Sequence, residues 1–209
     1  MATSVSVIEP EPTATQPRNL WVSARLGAGA VAFFNLPFVF AYFYLRSLDT
    51  KAHWKIGAVH PSSAMGIAIV VAIALSAALA RAGRPHRVQA GALAIVLGLV
   101  AVALQCIEYT TVDFGPASGG YASVYFGWTA MYAVGVLIAM YWLEVQVATL
   151  ARAPRGTRVE AELTAGGHEP PRAAAADADL TTAGYEAASF YWSFLAGIGV
   201  LLWVVLYLT

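Results

Sequence analysis

Four polar side chains lie within or beside long apolar runs, and they are where this chain could do chemistry: Asn35, Gln105, Glu108 and Glu144. Polar groups in hydrocarbon are costly and are usually retained for a reason. Glu108 ends one apolar run at the face where another run ends in Arg46, so the two are expected to pair between neighbouring helices. Two other roles stay open for Glu108, a simply hydrated interfacial carboxylate and a group that handles protons. Glu144 lies a turn or two from the inner end of its run, where a solvated or snorkelling carboxylate is the default.

Other reactive residue types exclude much. His53, His60, His86 and His168 all fall in loops or at run edges. A haem or copper site in a bundle core needs inward-facing imidazoles or thiolates, and the one cysteine, Cys106, cannot make one. That cysteine reads as a small apolar filler inside the third run, and a single cysteine also excludes an internal disulfide. No nucleotide-binding glycine motif and no nucleophile–base pair is present. The expectation is a chain that binds no cofactor itself. A formal net charge of +0 argues against nucleic acid as a partner.

The elements that carry these residues are apolar. Hydrophobic residues make up 59% of the 209 and charged residues 11%, too few to clothe a water-facing surface. Five runs, near 21–45, 62–80, 91–109, 121–150 and 186–208, each approach or exceed the roughly 20 residues a helix needs to cross ~30 Å of hydrocarbon. Backbone amides in lipid must be paired within their own segment, so the fold class is an all-α membrane protein, a bundle of five transmembrane helices. Residues 1–19 read as a polar tail without the features of a cleavable signal, leaving the first span as its own insertion signal. Residues 20–209 form one membrane domain, with a mobile cytoplasmic loop over 151–183, rich in Pro, Gly and Ala.

Basic residues set the orientation. With the N-terminus inside, nine fall on the inner side (Arg18, Arg25, Arg81, Arg84, Arg87, Arg152, Arg155, Arg158, Arg172) and three outside (Arg46, Lys51, Lys55). The positive-inside rule therefore predicts a cytoplasmic N-terminus and an external C-terminus. Small residues recur every four positions at Ala24-Ala28-Ala32, Ala94-Gly98 and Ser189-Ser193-Gly197, a spacing that lets helix backbones approach. Pro37 predicts a kink in the first span. Trp21, Trp142, Trp192, Tyr44 and Tyr207 sit near predicted ends, where amphipathic rings favour headgroups.

Four segments resemble, in the family's order, cytochrome oxidase subunit III of the haem–copper oxidases. They are the stretch from Phe33-Phe34-Asn35-Leu36-Pro37 to Arg46, Leu97-Gly98-Leu99 through Gln105 to Glu108-Tyr109, Gly120-Tyr121-Ala122-Ser123-Val124-Tyr125-Phe126 with Thr129, and Tyr191-Trp192-Ser193-Phe194. The departures are Ala30 where the family has a membrane glutamate, Tyr132 and Gly135 where it has histidines, Ser193 for the histidine of the last motif, and Ala196 for the aspartate that follows. Roles resting on those residues do not carry over. Arg46, Gln105, Glu108, Tyr109, Tyr191 and Trp192 do: the first four as structural and interhelical residues, the last two as anchors of the final helix and of lipid headgroups.

The resemblance implies a divergent five-helix form without the two-helix part of the seven-helix members. It also implies a cofactor-free accessory subunit of a bacterial haem–copper terminal oxidase, multi-pass in the cytoplasmic membrane. Its partners would be catalytic subunit I, subunit II and phospholipid, with haem and copper in the partner subunits. Such a subunit supports stability, lipid binding and proton uptake. Two alternatives stay open: an independent small transporter or channel working as a homo-oligomer, and an assembly or accessory factor of an oxidase or nitric oxide reductase. The transporter reading rests on Asn35 beside the kink at Pro37.

Overall fold

The computed structural model describes residues 15–50, 54–55, 59–81, 86–152 and 172–208. Most of the N-terminal tail, the loop core 153–171, Lys51, His53, Arg84, Arg155, Arg158 and His168 lie outside the described residues.

Among the described residues five helices form: α1 Gln16–Ser47, α2 Ser63–Ala80, α3 Arg87–Thr111, α4 Gly120–Arg152 and α5 Arg172–Trp203. α5 continues as a π-helical segment, Val204–Leu208. All five are long and apolar enough to cross a membrane. α1 starts inside the stretch read as tail, with Pro17 in its first turn, where the missing N–H costs nothing. It runs on through Pro37, leaving the Phe33 carbonyl without its helical donor. Ser62 caps α2 by accepting from the Met65 amide at 3.4 Å. Gly119, at φ 117°, makes the turn into α4. α5 begins at Arg172, within the stretch 151–183 read as loop: an Ala-rich sequence is a good helix former even where it is too polar to span.

α5 is the central element, packing against α1, α2 and α4, while α3 lies between α2 and α4. Half of the apolar window of α5 is buried, against 17% for α1, so α1 is the outer helix. Two clusters fill the interior. One joins Ala94, Met140, Leu143, Tyr185, Trp192 and Leu195; the other is aromatic, with Tyr42, Trp54, Phe114, Tyr121, Tyr125 and Trp128.

The small-residue stripes divide. Ala94 and Gly98 face α5, and an added Cβ at Gly98 would lie 2.9 Å from the Trp192 ring. Ala24 and Ala28 are buried. The Ser189-Ser193-Gly197 stripe packs only in part: Ser189 is buried and Ser193 half-buried, whereas Gly197 is exposed with nothing near it. α5 packs also through large residues such as Tyr185, Trp192 and Leu195. Trp192 and Tyr207, expected at the headgroups, point into the bundle. Trp192 Nε1 donates to Ser76 Oγ at 2.9 Å, and Ser76 Oγ donates to the Ala94 carbonyl at 2.6 Å, joining α5, α2 and α3. Cys106 faces outward rather than filling the core.

At the opposite end Arg87 pairs with Glu186 at 2.6 Å and lies over the Tyr185 ring, whose hydroxyl donates to the Ala80 carbonyl.

Candidate functional site

Glu108 is fully buried, which disposes of the hydrated interfacial reading. Its Oε2 accepts from Tyr207 Oη at 2.7 Å and from Gln105 Nε2 at 3.3 Å. Gln105 and Glu108 are three residues apart on α3 and so share a face. Tyr207 reaches them from the π-helical end of α5, and Gly66 of α2 makes room for its ring: an added Cβ there would lie 2.5 Å from it. Gln105 Nε2 also points at Tyr125 Oη of α4, 3.5 Å away.

Around this centre, α4 supplies the remaining ties. Thr129 Oγ1 donates to the Tyr125 carbonyl at 2.6 Å, so Tyr109 Oη is the donor in its 2.6 Å bond to Thr129 Oγ1. Tyr121 Oη donates at 2.7 Å to the Leu206 carbonyl, one of the acceptors that the end of α5 leaves without a helical partner. The arrangement locks α3, α4 and the end of α5 in register around one carboxyl group.

The anticipated Arg46–Glu108 ion pair does not form among the described residues. The reason is topological: α1 packs on α4 and α5, α3 packs on α2 and α4, and Arg46 is exposed at the end of α1. Arg46→Gln and Glu108→Gln should therefore have additive effects on stability, to within ~0.5 kcal/mol. Thermal melts of the two single variants and the double variant check this, and a coupling above ~1 kcal/mol would restore the pair.

Arg46 does act on Lys55, in the segment between α1 and α2. Burial and then repulsion from Arg46 hold the Lys55 ammonium below its ordinary pKa of 10.5, while its Nζ lies 4.5 Å from the centre of the Tyr121 ring. Between the lowered folded value and 10.5 the unfolded chain binds more protons, so Lys55 adds stability as pH rises through that window. Melts from neutral to alkaline pH should show this gain in the wild type relative to Lys55→Met; parallel pH profiles would contradict it.

Tyr191 and Trp192 anchor α5 through protein contacts. Both are buried, Tyr191 packing on Trp142 with ring centres 5.6 Å apart. Neither ring is presented to headgroups, because the face of α5 that carries them is turned toward its neighbours.

Asn35 is also closed in the bundle. Trp128 Nε1 donates to its Oδ1 at 2.7 Å, and its Nδ2 donates to the Val31 carbonyl at 2.8 Å. An interhelical bond of this kind contributes roughly 0.6–2 kcal/mol in a membrane. The residue that favoured a transport path thus ties α1 to α4. Glu144 is exposed on α4, consistent with snorkelling. At departures from the family motif, Tyr132 Oη donates to the Leu195 carbonyl, and Ser193 Oγ accepts from Arg81 Nε at 2.7 Å.

Sequence reasoning missed Tyr207, Tyr125, Ser76 and Trp128. Tyr121, Tyr125 and Thr129 at intervals of four were a visible signal for one polar face of α4; Tyr207 had none beyond its type. Among the described residues, no group of His, Cys, Asp and Glu could hold a metal ion.

The fold and site together define a multi-pass helical membrane protein whose polar side chains bind its own helices to one another. The family model for cytochrome c oxidase subunit III matches residues 59–154, the segment containing α2, α3 and α4. Cytochrome c oxidase subunit 3 of Struthio camelus is 25% identical over 189 residues, covering 84% of this chain and 64% of the relative. The protein of the same name from Branchiostoma lanceolatum is 27% identical over 188 residues, 84% and 63% of the two chains. That from Formosania lacustris is 30% identical over 129 residues, 62% and 41%. The chain is thus similar to the subunit III family across α2, α3 and α4 and, at lower identity, along most of its length. It spans a little under two thirds of the length of the first two relatives.

Proposed function

We propose that the chain is an accessory subunit of a haem–copper terminal oxidase in a bacterial cytoplasmic membrane. It packs beside catalytic subunit I, with subunit II in the same complex, and the haem and copper centres belong to those partners. The observation that carries this reading is the family match over 59–154, because that segment supplies Gln105, Glu108, Tyr109, Tyr121 and Tyr125 of the buried cluster. The exposed face of α1, with Leu26, Phe33, Phe34, Leu36 and Phe40, suits a partner helix or lipid. The alanine-rich composition fits a GC-rich bacterial genome. The N-terminus is cytoplasmic and the C-terminus external, supported by nine basic residues on one side against three on the other.

The chemical role is mechanical. A bundle locked at Glu108 and at the Trp192–Ser76 bond offers a rigid flank against which the catalytic subunit keeps its shape and its proton uptake during turnover. Deleting the gene should leave an oxidase with normal haem content whose activity decays early during turnover, with the wild-type chain restoring its lifetime. Loss of haem or copper would indicate an assembly factor instead, and an oxidase of unchanged lifetime would contradict the proposal.

A further inference from the structure

Two buried side-chain polar atoms have no partner among the described residues: Glu108 Oε1 and Trp203 Nε1. They belong to one neighbourhood. Tyr207 donates to Glu108 and stacks on the Trp203 ring, with ring centres 6.4 Å apart. Gln105, Tyr132, Trp203 and Tyr207 line a cavity of about 20 Å³ whose other walls are apolar, among them Ile69 and Ile73. A second cavity of about 20 Å³ adjoins it, sharing Ile69, Ile73, Gln105 and Tyr132.

We propose that this cavity is a hydration site, in which one water links Trp203 to the Glu108 cluster through Gln105 and Tyr207. The volume fits, since a water needs about 10–15 Å³ and two to four polar partners. The partners fit as well. Trp203 Nε1 is a donor only, so it gives its hydrogen to the water. Tyr132 Oη donates to the Leu195 carbonyl and Tyr207 Oη to Glu108, so both phenol oxygens keep lone pairs for the water's hydrogens. A lipid tail offers no acceptor and would leave the indole N–H unsatisfied.

The result is a chain of hydrogen bonds from α5 to α4, running Trp203, water, Tyr207, Glu108, Gln105 and Tyr125. The ionisable groups facing Glu108 are Tyr109 on α3, Tyr121 and Tyr125 on α4, and Tyr207. Among the described residues, the ion pair present is Arg87–Glu186, far along the sequence from this carboxyl. The carboxyl is therefore held by the Tyr207 phenol and the Gln105 amide rather than by a counter-ion.

A high-resolution cryo-electron-microscopy map of the chain in its native complex tests the site. The expected result is a single peak within hydrogen-bond reach of Trp203 Nε1 and of Tyr207 or Gln105. A map that orders other internal waters of this chain but leaves that volume empty, or fills it with a partner side chain, overturns the proposal. Infrared spectra in H2-16O and H2-18O give an independent reading on the same complex. Wild type minus Trp203→Phe should contain an isotope-shifted internal-water O–H band. A folded Trp203→Phe complex whose difference spectrum lacks that band counts against the site.

Discussion

Glu108→Ala should destabilise the bundle by about 2–5 kcal/mol, because it strips the acceptor from two buried donors at ~1–3 kcal/mol each. The donors are Tyr207 Oη and Gln105 Nε2, both aimed at Glu108 Oε2. Both sit in a largely apolar interior, so the loss includes the cost of keeping a buried donor without its carboxylate acceptor. Glu108→Gln keeps a carbonyl oxygen for Tyr207 and should cost only about 1 kcal/mol. Tyr207→Phe removes one donor and leaves Gln105 in place, so it should fall between the two. Equilibrium unfolding in a mild detergent, titrated with a denaturing one, gives the order. Equal losses for alanine and glutamine would mean that the carboxyl holds nothing.

Trp192→Ala should cost about 2–4 kcal/mol, below or within the ~3–5 kcal/mol seen for large aromatics in soluble cores. The reduction has a physical basis. Helices separated in a bilayer remain in lipid, so the water-transfer share of the loss is absent and the packing share remains. Trp192 is 1% exposed, fills the space that Gly98 leaves and donates to Ser76. Its loss opens a cavity where α2, α3 and α5 meet. Phe33, 73% exposed on α1, provides the contrast: Phe33→Ala should change stability by less than about 0.5 kcal/mol in detergent. Equal effects at the two positions would contradict the placement of α5 at the centre and α1 at the edge.

The five spans were legible because hydrophobicity is a local sum, and the cost of an unpaired amide in lipid leaves helices as the one reading. Gln105, Glu108 and Tyr109 were legible as a cluster because they lie together on one helix. The partner of Glu108 was not. Arg46 and Glu108 both end spans on the same face, whereas helix order around the bundle decides contact, and Tyr207 lies 99 residues away in sequence. Trp192 and Tyr207 show the same limit in another form. An amphipathic ring near a span end suits a headgroup or a buried donor–acceptor pair equally well, and only the facing helix, here Ser76 or Glu108, decides. The Ser189-Ser193-Gly197 stripe held at Ser189 but not at Gly197, because small residues also occur where a helix meets nothing.

The central proposal is that this bundle works as part of a larger redox complex whose redox centres belong to its partners. The measurement that tests it most directly is mild-detergent purification of the tagged chain from its native membrane, with an optical spectrum and quantitative peptide identification. Haem in stoichiometric amount, together with the peptides of a large many-helix catalytic partner, is the expected result. A colourless protein associated only with copies of itself would contradict the accessory-subunit reading.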